Sequence, residues 1–174
     1  MSLSENDKTA PLSPLKALGV LVILAVLILG FVALCTTLGI KNFWVGFLFM
    51  FYWLGLEDAR LDRLLPAVLG ALTGLLVSYS VGFFSLYLAA DQAALAGFCL
   101  SLLIIYVRLI GRLKVFSNLA TMLFLTVGSI PFVHSGITMQ EMFTSLLLGI
   151  LFFGLIGGTA GLLAQRKATR QTGV

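Results

Sequence analysis

Residues 42–63 read NFWVGFLFMFYWLGLEDARLDR, and the reading of this stretch decides the fold. It opens on Asn42, runs through about fourteen apolar or aromatic residues, and breaks at Glu57 into a burst of charge. Fourteen helical residues reach about 21 Å, whereas a bilayer core is about 30 Å thick. The stretch is thus a core helix of a soluble protein, a re-entrant piece, or a short span packed among longer ones.

Composition chooses the solvent. The 174-residue chain is 60% hydrophobic and 10% charged, and its mean hydropathy is +1.10. Globular domains carry about 25% charged residues. A chain this size buries only about 70% of its surface in water. A bilayer is the environment that tolerates the rest, so the main partner is lipid. The length suits one domain.

Outward from the opening stretch, six apolar segments are expected: 17–39, 43–56, 64–89, 93–110, 115–133 and 142–164. Backbone polar groups in hydrocarbon must be satisfied within the segment, and no barrel-type alternation is present, so helices are expected. The expected fold class is an all-α integral membrane protein of six transmembrane helices. Residues 1–14 read as a polar cytosolic tail, residues 15–165 as the six-helix domain, and residues 166–174 as a basic cytosolic tail. The start lacks the pattern of a cleaved signal peptide.

The charges test this count. With the N-terminus inside, the cytosolic pieces hold Lys8, Lys16, Arg60, Arg63, Arg108, Arg112, Lys114, Arg166, Lys167 and Arg170; of the basic residues only Lys41 lies opposite. That split follows the positive-inside rule and places both termini in the cytoplasm. The net charge of +4 then reflects topology, and nucleic acid is not expected as a partner. Arg108, near the cytosolic end of the fourth segment, either snorkels or lines a path for an anion.

The halves of the chain resemble each other. Each has a long helix, a shorter one opened by an asparagine, a polar turn, and a glycine-bearing helix. Three spans per half would invert one half relative to the other, and a 3+3 inverted repeat with short segments in matching positions points to a transport site. Asn42 and Asn118 stand at the two matching starts, either as helix caps or as amides on a polar path. Tyr52 and Trp53 belong either to an interfacial belt or to a constriction. Thr121 and Ser129 are the hydroxyls nearest that path. Gly70 with Gly74, Gly154 with Gly158, and Gly157 with Gly161 have small-xxx-small spacing, which serves either packing within the chain or a homodimer face. Cys35 and Cys99 fall in apolar runs and read as buried thiols.

Little else carries chemistry. No catalytic motif is visible, so an enzyme is not expected, and neither a cofactor nor a metal is called for. No acidic residue lies deep inside a segment. His134, the single histidine, reads as a solvated loop residue or as a pH sensor beside Glu141.

Two resemblances follow from specific stretches. Trp44-Val-Gly46-Phe, the run from Asn118 to Pro131, and Leu146-Leu-Leu-Gly149 resemble a small bacterial inner-membrane family described as domain of unknown function 1097, which implies location and topology. Leu15-Lys16-Ala-Leu-Gly19 and Thr126-Val-Gly-Ser-Ile-Pro131 resemble the six-helix module of fusaric-acid-resistance-type aromatic acid exporters and related anion channels. That likeness implies a homo-oligomer, because those proteins carry a further domain or a second module. The expectation is a bacterial inner-membrane transporter or channel module for a small polar or aromatic solute. Its path would run past Asn42, Tyr52, Trp53, Asn118, Thr121 and Ser129. The rival is a non-transporting membrane subunit that assembles into a larger complex.

Overall fold

The computed structural model describes residues 13–130 and 138–172. Among the described residues the chain forms six helices: α1 (Pro14–Thr37), α2 (Trp44–Met50), α3 (Leu61–Phe84), α4 (Ala90–Leu109), α5 (Leu119–Gly128) and α6 (Met139–Thr172). After Met50, α2 widens into π-helical turns over Phe51–Leu56. Stretches of α1, α3, α4 and α6 are long and apolar enough to cross a membrane, whereas α2 with its extension and α5 are shorter. Their apolar side chains also face outward: Leu21, Ile23 and Val26 on α1, and Leu95, Phe98 and Leu103 on α4, are exposed. That surface suits lipid and not water.

The fifth segment is the largest departure from the expected bounds. It was expected over 115–133, but its helix starts only at Leu119 and ends at Gly128. Residues 110–117 coil instead, with positive φ at Gly111 and Leu113, and Asn118 caps the helix that follows. Asn118 binds its own local backbone, and that competes with helix upstream of it. Helix α6 runs through the boundary expected at residue 165 without a break. Residues 1–12 of the expected N-terminal tail, His134, and the last two residues lie outside the described residues.

Each short helix packs on a long helix distant in sequence. Helix α2 lies along α6, where Gly46 meets Gly149 and Trp53 meets Gly157. Helix α5 lies along α3, where Gly74 meets Thr121 and Leu125, and Gly128 meets Ser78. The residue order makes both pairs parallel. Helix α1 then covers α6 through Gly30 and Phe152, and α4 covers α3 through Gly97 and Val81; both of these pairs are antiparallel. Gly70 and Gly74 thus serve packing within the chain, as do Gly157 against Trp53 and Gly158 against Leu61, while a methyl on Gly154 would meet nothing within 4 Å.

Two apolar clusters result. The larger joins α2, α3, α5 and α6 through Phe49, Trp53, Ala71, Leu75, Phe124 and Leu146. The smaller gathers Phe31 and Cys35 of α1, Met50 and Phe153. The expectation for the thiols is half corrected: Cys35 is buried, but Cys99 is exposed on α4, where the helix touches few neighbours and its surface is available to lipid.

Candidate functional site

A cavity of about 390 Å³ opens where the end of α2, the start of α3, the end of α4 and the start of α5 converge. Its lining includes Tyr52, Glu57, Arg63, Arg108, Lys114 and Asn118, with Ser117, Gly111 and Leu119 completing the wall. It brings together two residues expected on a path, Tyr52 and Asn118, from opposite halves of the chain.

Local chain geometry builds each wall. The π-helical turns carry Tyr52 inward, where it is buried, and its hydroxyl donates to Glu57 Oε1 at 2.8 Å. Wide turns of this kind recur at functional sites. Asp58 and Ala59 follow at φ 51° and 54°, left-handed positions that reverse the chain into α3 within a few residues. On the other side, Gly111 and Leu113 at φ 70° and 51° fold the connection so that Lys114 returns toward Arg108. The Ser117 hydroxyl donates to Ile104 O at 3.1 Å and pins the connection to α4.

Asn118 is held on every side. Its Oδ1 accepts Thr121 N–H at 3.2 Å, and its own N–H donates to Thr121 Oγ1 at 3.1 Å, a reciprocal capping box. Its Nδ2 donates to Pro66 O at 2.6 Å across to α3 and to Val115 O at 3.0 Å. The absent side chain of Gly70 leaves the space that the Asn118 amide fills. Thr121 is fully buried and donates to Phe116 O at 2.6 Å, so it fixes the cap and does not face the cavity.

The remaining expected path residues lie elsewhere. Trp53 is fully buried; its ring stacks on Phe49 and its Nε1 donates to Arg60 O at 3.0 Å, which ties the α2–α3 turn to the core. Ser129 follows the far end of α5 and donates to Leu125 O at 2.6 Å. Asn42 is at the opposite end from the cavity. Phe43, not Asn42, occupies the N-cap position of α2, and Asn42 Nδ2 instead donates to Glu141 Oε2 at 3.1 Å on α6. A free N–H of the first α2 turn, that of Gly46, finds the buried Ser145 hydroxyl of α6 at 3.4 Å. A partner helix does for α2 what Asn118 does for α5.

The electrostatics are lopsided. Arg63, Arg108 and Lys114 face the cavity against one lining carboxylate, Glu57. Arg60 points its charge away, in a two-point pair with Asp62 at 2.8 and 3.2 Å, and the bonded carboxylate holds its guanidinium above the ordinary value. Arg108 Nη1 makes one long bond to Ser117 O, at 3.4 Å. Sequence reasoning singled out Arg108, took Lys114 as a marker of topology, and saw Arg63 as that and as part of a charged turn on which a partner could dock in the rival reading. Nothing in their spacing announces the cavity, because the turn at Gly111 and Leu113 that gathers them has no periodic signature.

No protein-family model, curated protein or solved structure matches the chain.

Proposed function

We propose that the chain is a six-span module of the bacterial inner membrane, with both termini cytoplasmic. It passes a small polar or aromatic solute between two inverted three-helix halves, and it works as a homo-oligomer. The exchange of short helices between the halves carries this reading. Helix α2 of the first half lies on α6 of the second, α5 of the second lies on α3 of the first, and the outer helices α1 and α4 cover the same two long helices. An offset of about 75 residues relates the interfaces, taking Asn42 to Asn118, Gly46 to Thr121, Glu141 to Pro66 and Gly149 to Gly74, and this supports an inverted repeat.

Two further observations support six crossings. The chain from Asn42 to the α2–α3 turn runs alongside α6 from Glu141 to Gly158, a length of about 26 Å. The short helix and its flanking residues therefore cover most of a bilayer core. Arg60, Arg63, Arg108, Arg112 and Lys114 also fall at the turns of one end, with Lys41 at the other, as the positive-inside rule asks.

In this reading the cavity between Tyr52 and Asn118 is the cytoplasmic mouth of the path. Purified protein in proteoliposomes, followed by light scattering against neutral, anionic and aromatic solutes, tests it. Faster entry of one class than into empty liposomes is the expected result. No entry for any class, with the protein inserted and assembled, would overturn it in favour of a non-transporting membrane subunit.

A further inference from the structure

Three cations converge on one small cavity. Arg63, Arg108 and Lys114 share it with Glu57 as the one acidic lining residue, and one Glu57 oxygen already accepts the Tyr52 hydroxyl. Asp62, the next carboxylate along the chain, is held in the two-point pair with Arg60 and stands 3.8 Å from Arg63. Lys114 makes no hydrogen bond or ion pair among the described residues. A guanidinium offers five donors, and the single bond from Arg108 leaves the rest for a ligand.

Topology alone does not ask for this. The positive-inside rule needs basic residues on one side of the membrane, not gathered around one hollow. Here a leucine is held in the left-handed region at Leu113, which β-carbon crowding disfavours, in the very turn that returns Lys114 toward Arg108. Like charges drawn together in a cleft repel unless an anion neutralises them, and they concentrate anions there. A volume of about 390 Å³ lies in the range of small-molecule sites. Leu119 gives part of the wall an apolar face.

We propose that this cavity binds one small soluble oxyanion, a carboxylate or a phosphate. Its charged head sits among Arg63, Arg108 and Lys114, and a short organic body lies against Leu119. The site stands on the lining alone; the corollary that the transported solute is anionic rests on the transport reading above.

The test uses the full chain in nanodiscs of neutral phosphatidylcholine, titrated calorimetrically with inorganic phosphate and with benzoate, and with choline as a cation control. The expected result is that at least one of the two anions binds, choline does not, and Arg108→Gln and Lys114→Gln each weaken binding about tenfold. Both side chains are exposed, so unchanged melting is expected, and Lys41→Gln at the opposite end should bind as wild type does. Absence of binding by both anions, or binding unchanged in both glutamine variants, would overturn the proposal. A second arm adds phosphatidylglycerol to the discs. Retained binding supports a soluble ligand; abolished binding assigns the cavity to a lipid headgroup and overturns it. Flux separates the two readings. Anion binding without flux of any solute keeps the site and removes the transport reading. Flux of neutral solutes with no anion binding does the reverse.

Discussion

Asn118 shows how one residue can be marked by its sequence position and still hold two roles. The amide stands at a helix start and caps it, one of the two roles the sequence allowed, and it reaches the cavity wall. Its donors and acceptor are committed to Thr121, Val115 and Pro66. The residue is therefore mainly a clamp. Loss of a cap is worth about 1 kcal/mol, and loss of the two Nδ2 hydrogen bonds to Pro66 and Val115 about 2 kcal/mol more. Asn118→Ala is expected to lower the melting temperature by about 6–12 °C for a chain of this size. Asn118→Ser keeps the cap to Thr121, gives up the bonds to Pro66 and Val115, and should fall between the two. A melt of Asn118→Ala equal to wild type would show that the clamp contributes nothing. Asn42 was expected to resemble Asn118, and it does in reach but not in capping. Its partner Glu141 is 99 residues away, and no local pattern reveals such a partner.

At the scale of elements, glycine spacing was legible but its direction was not. Every glycine pair expected from the sequence lies on a long helix, and most of those glycines face another helix of the same chain. A methyl on Gly149 would stand 2.6 Å from Gly46 Cα, and one on Gly74 would stand 2.5 Å from Thr121 O. Backbone cannot swing aside as a side chain does, so both helix pairs would have to part. Gly149→Ala and Gly74→Ala are each expected to destabilise by about 3 kcal/mol. Gly154→Ala meets open space and should be neutral or slightly stabilising, since alanine favours helix by about 1 kcal/mol. Reversible unfolding in mixed micelles reads the difference; equal effects at the three positions would undo this account of the interfaces. The start of α5 was misjudged for a related reason. The sequence turns apolar again at Val115 and Phe116, and only the turn geometry and the Asn118 cap hold the helix back to Leu119.

At the scale of the whole molecule, hydropathy was enough to anticipate an all-helical chain with long apolar helices, because backbone polar groups in hydrocarbon must be satisfied within a segment. It could not say which helices touch. The exchange of α2 and α5 between halves is a property of packing, and periodicity within one segment carries no record of it. Six crossings make a simple demand on orientation. In a Cys99→Ser background, with Cys35 buried, Lys41→Cys should react with a membrane-impermeant maleimide from outside intact cells. Arg112→Cys should react only after the membrane is opened. Labelling of both from the same side would remove the six-span reading.

The exchanged short helices also impose a timetable. Helix α2 leaves the ribosome with its aromatic face exposed, and the helix it needs is still about a hundred residues from being made. At the usual rate of synthesis that interval is about 5–20 s. Helix α5 faces no such delay, because its partner α3 has already been made when it arrives. The first half of this protein is thus born incomplete and the second half completes it. Any event that stops translation before α6 leaves an unclosed fragment for the quality-control machinery to remove.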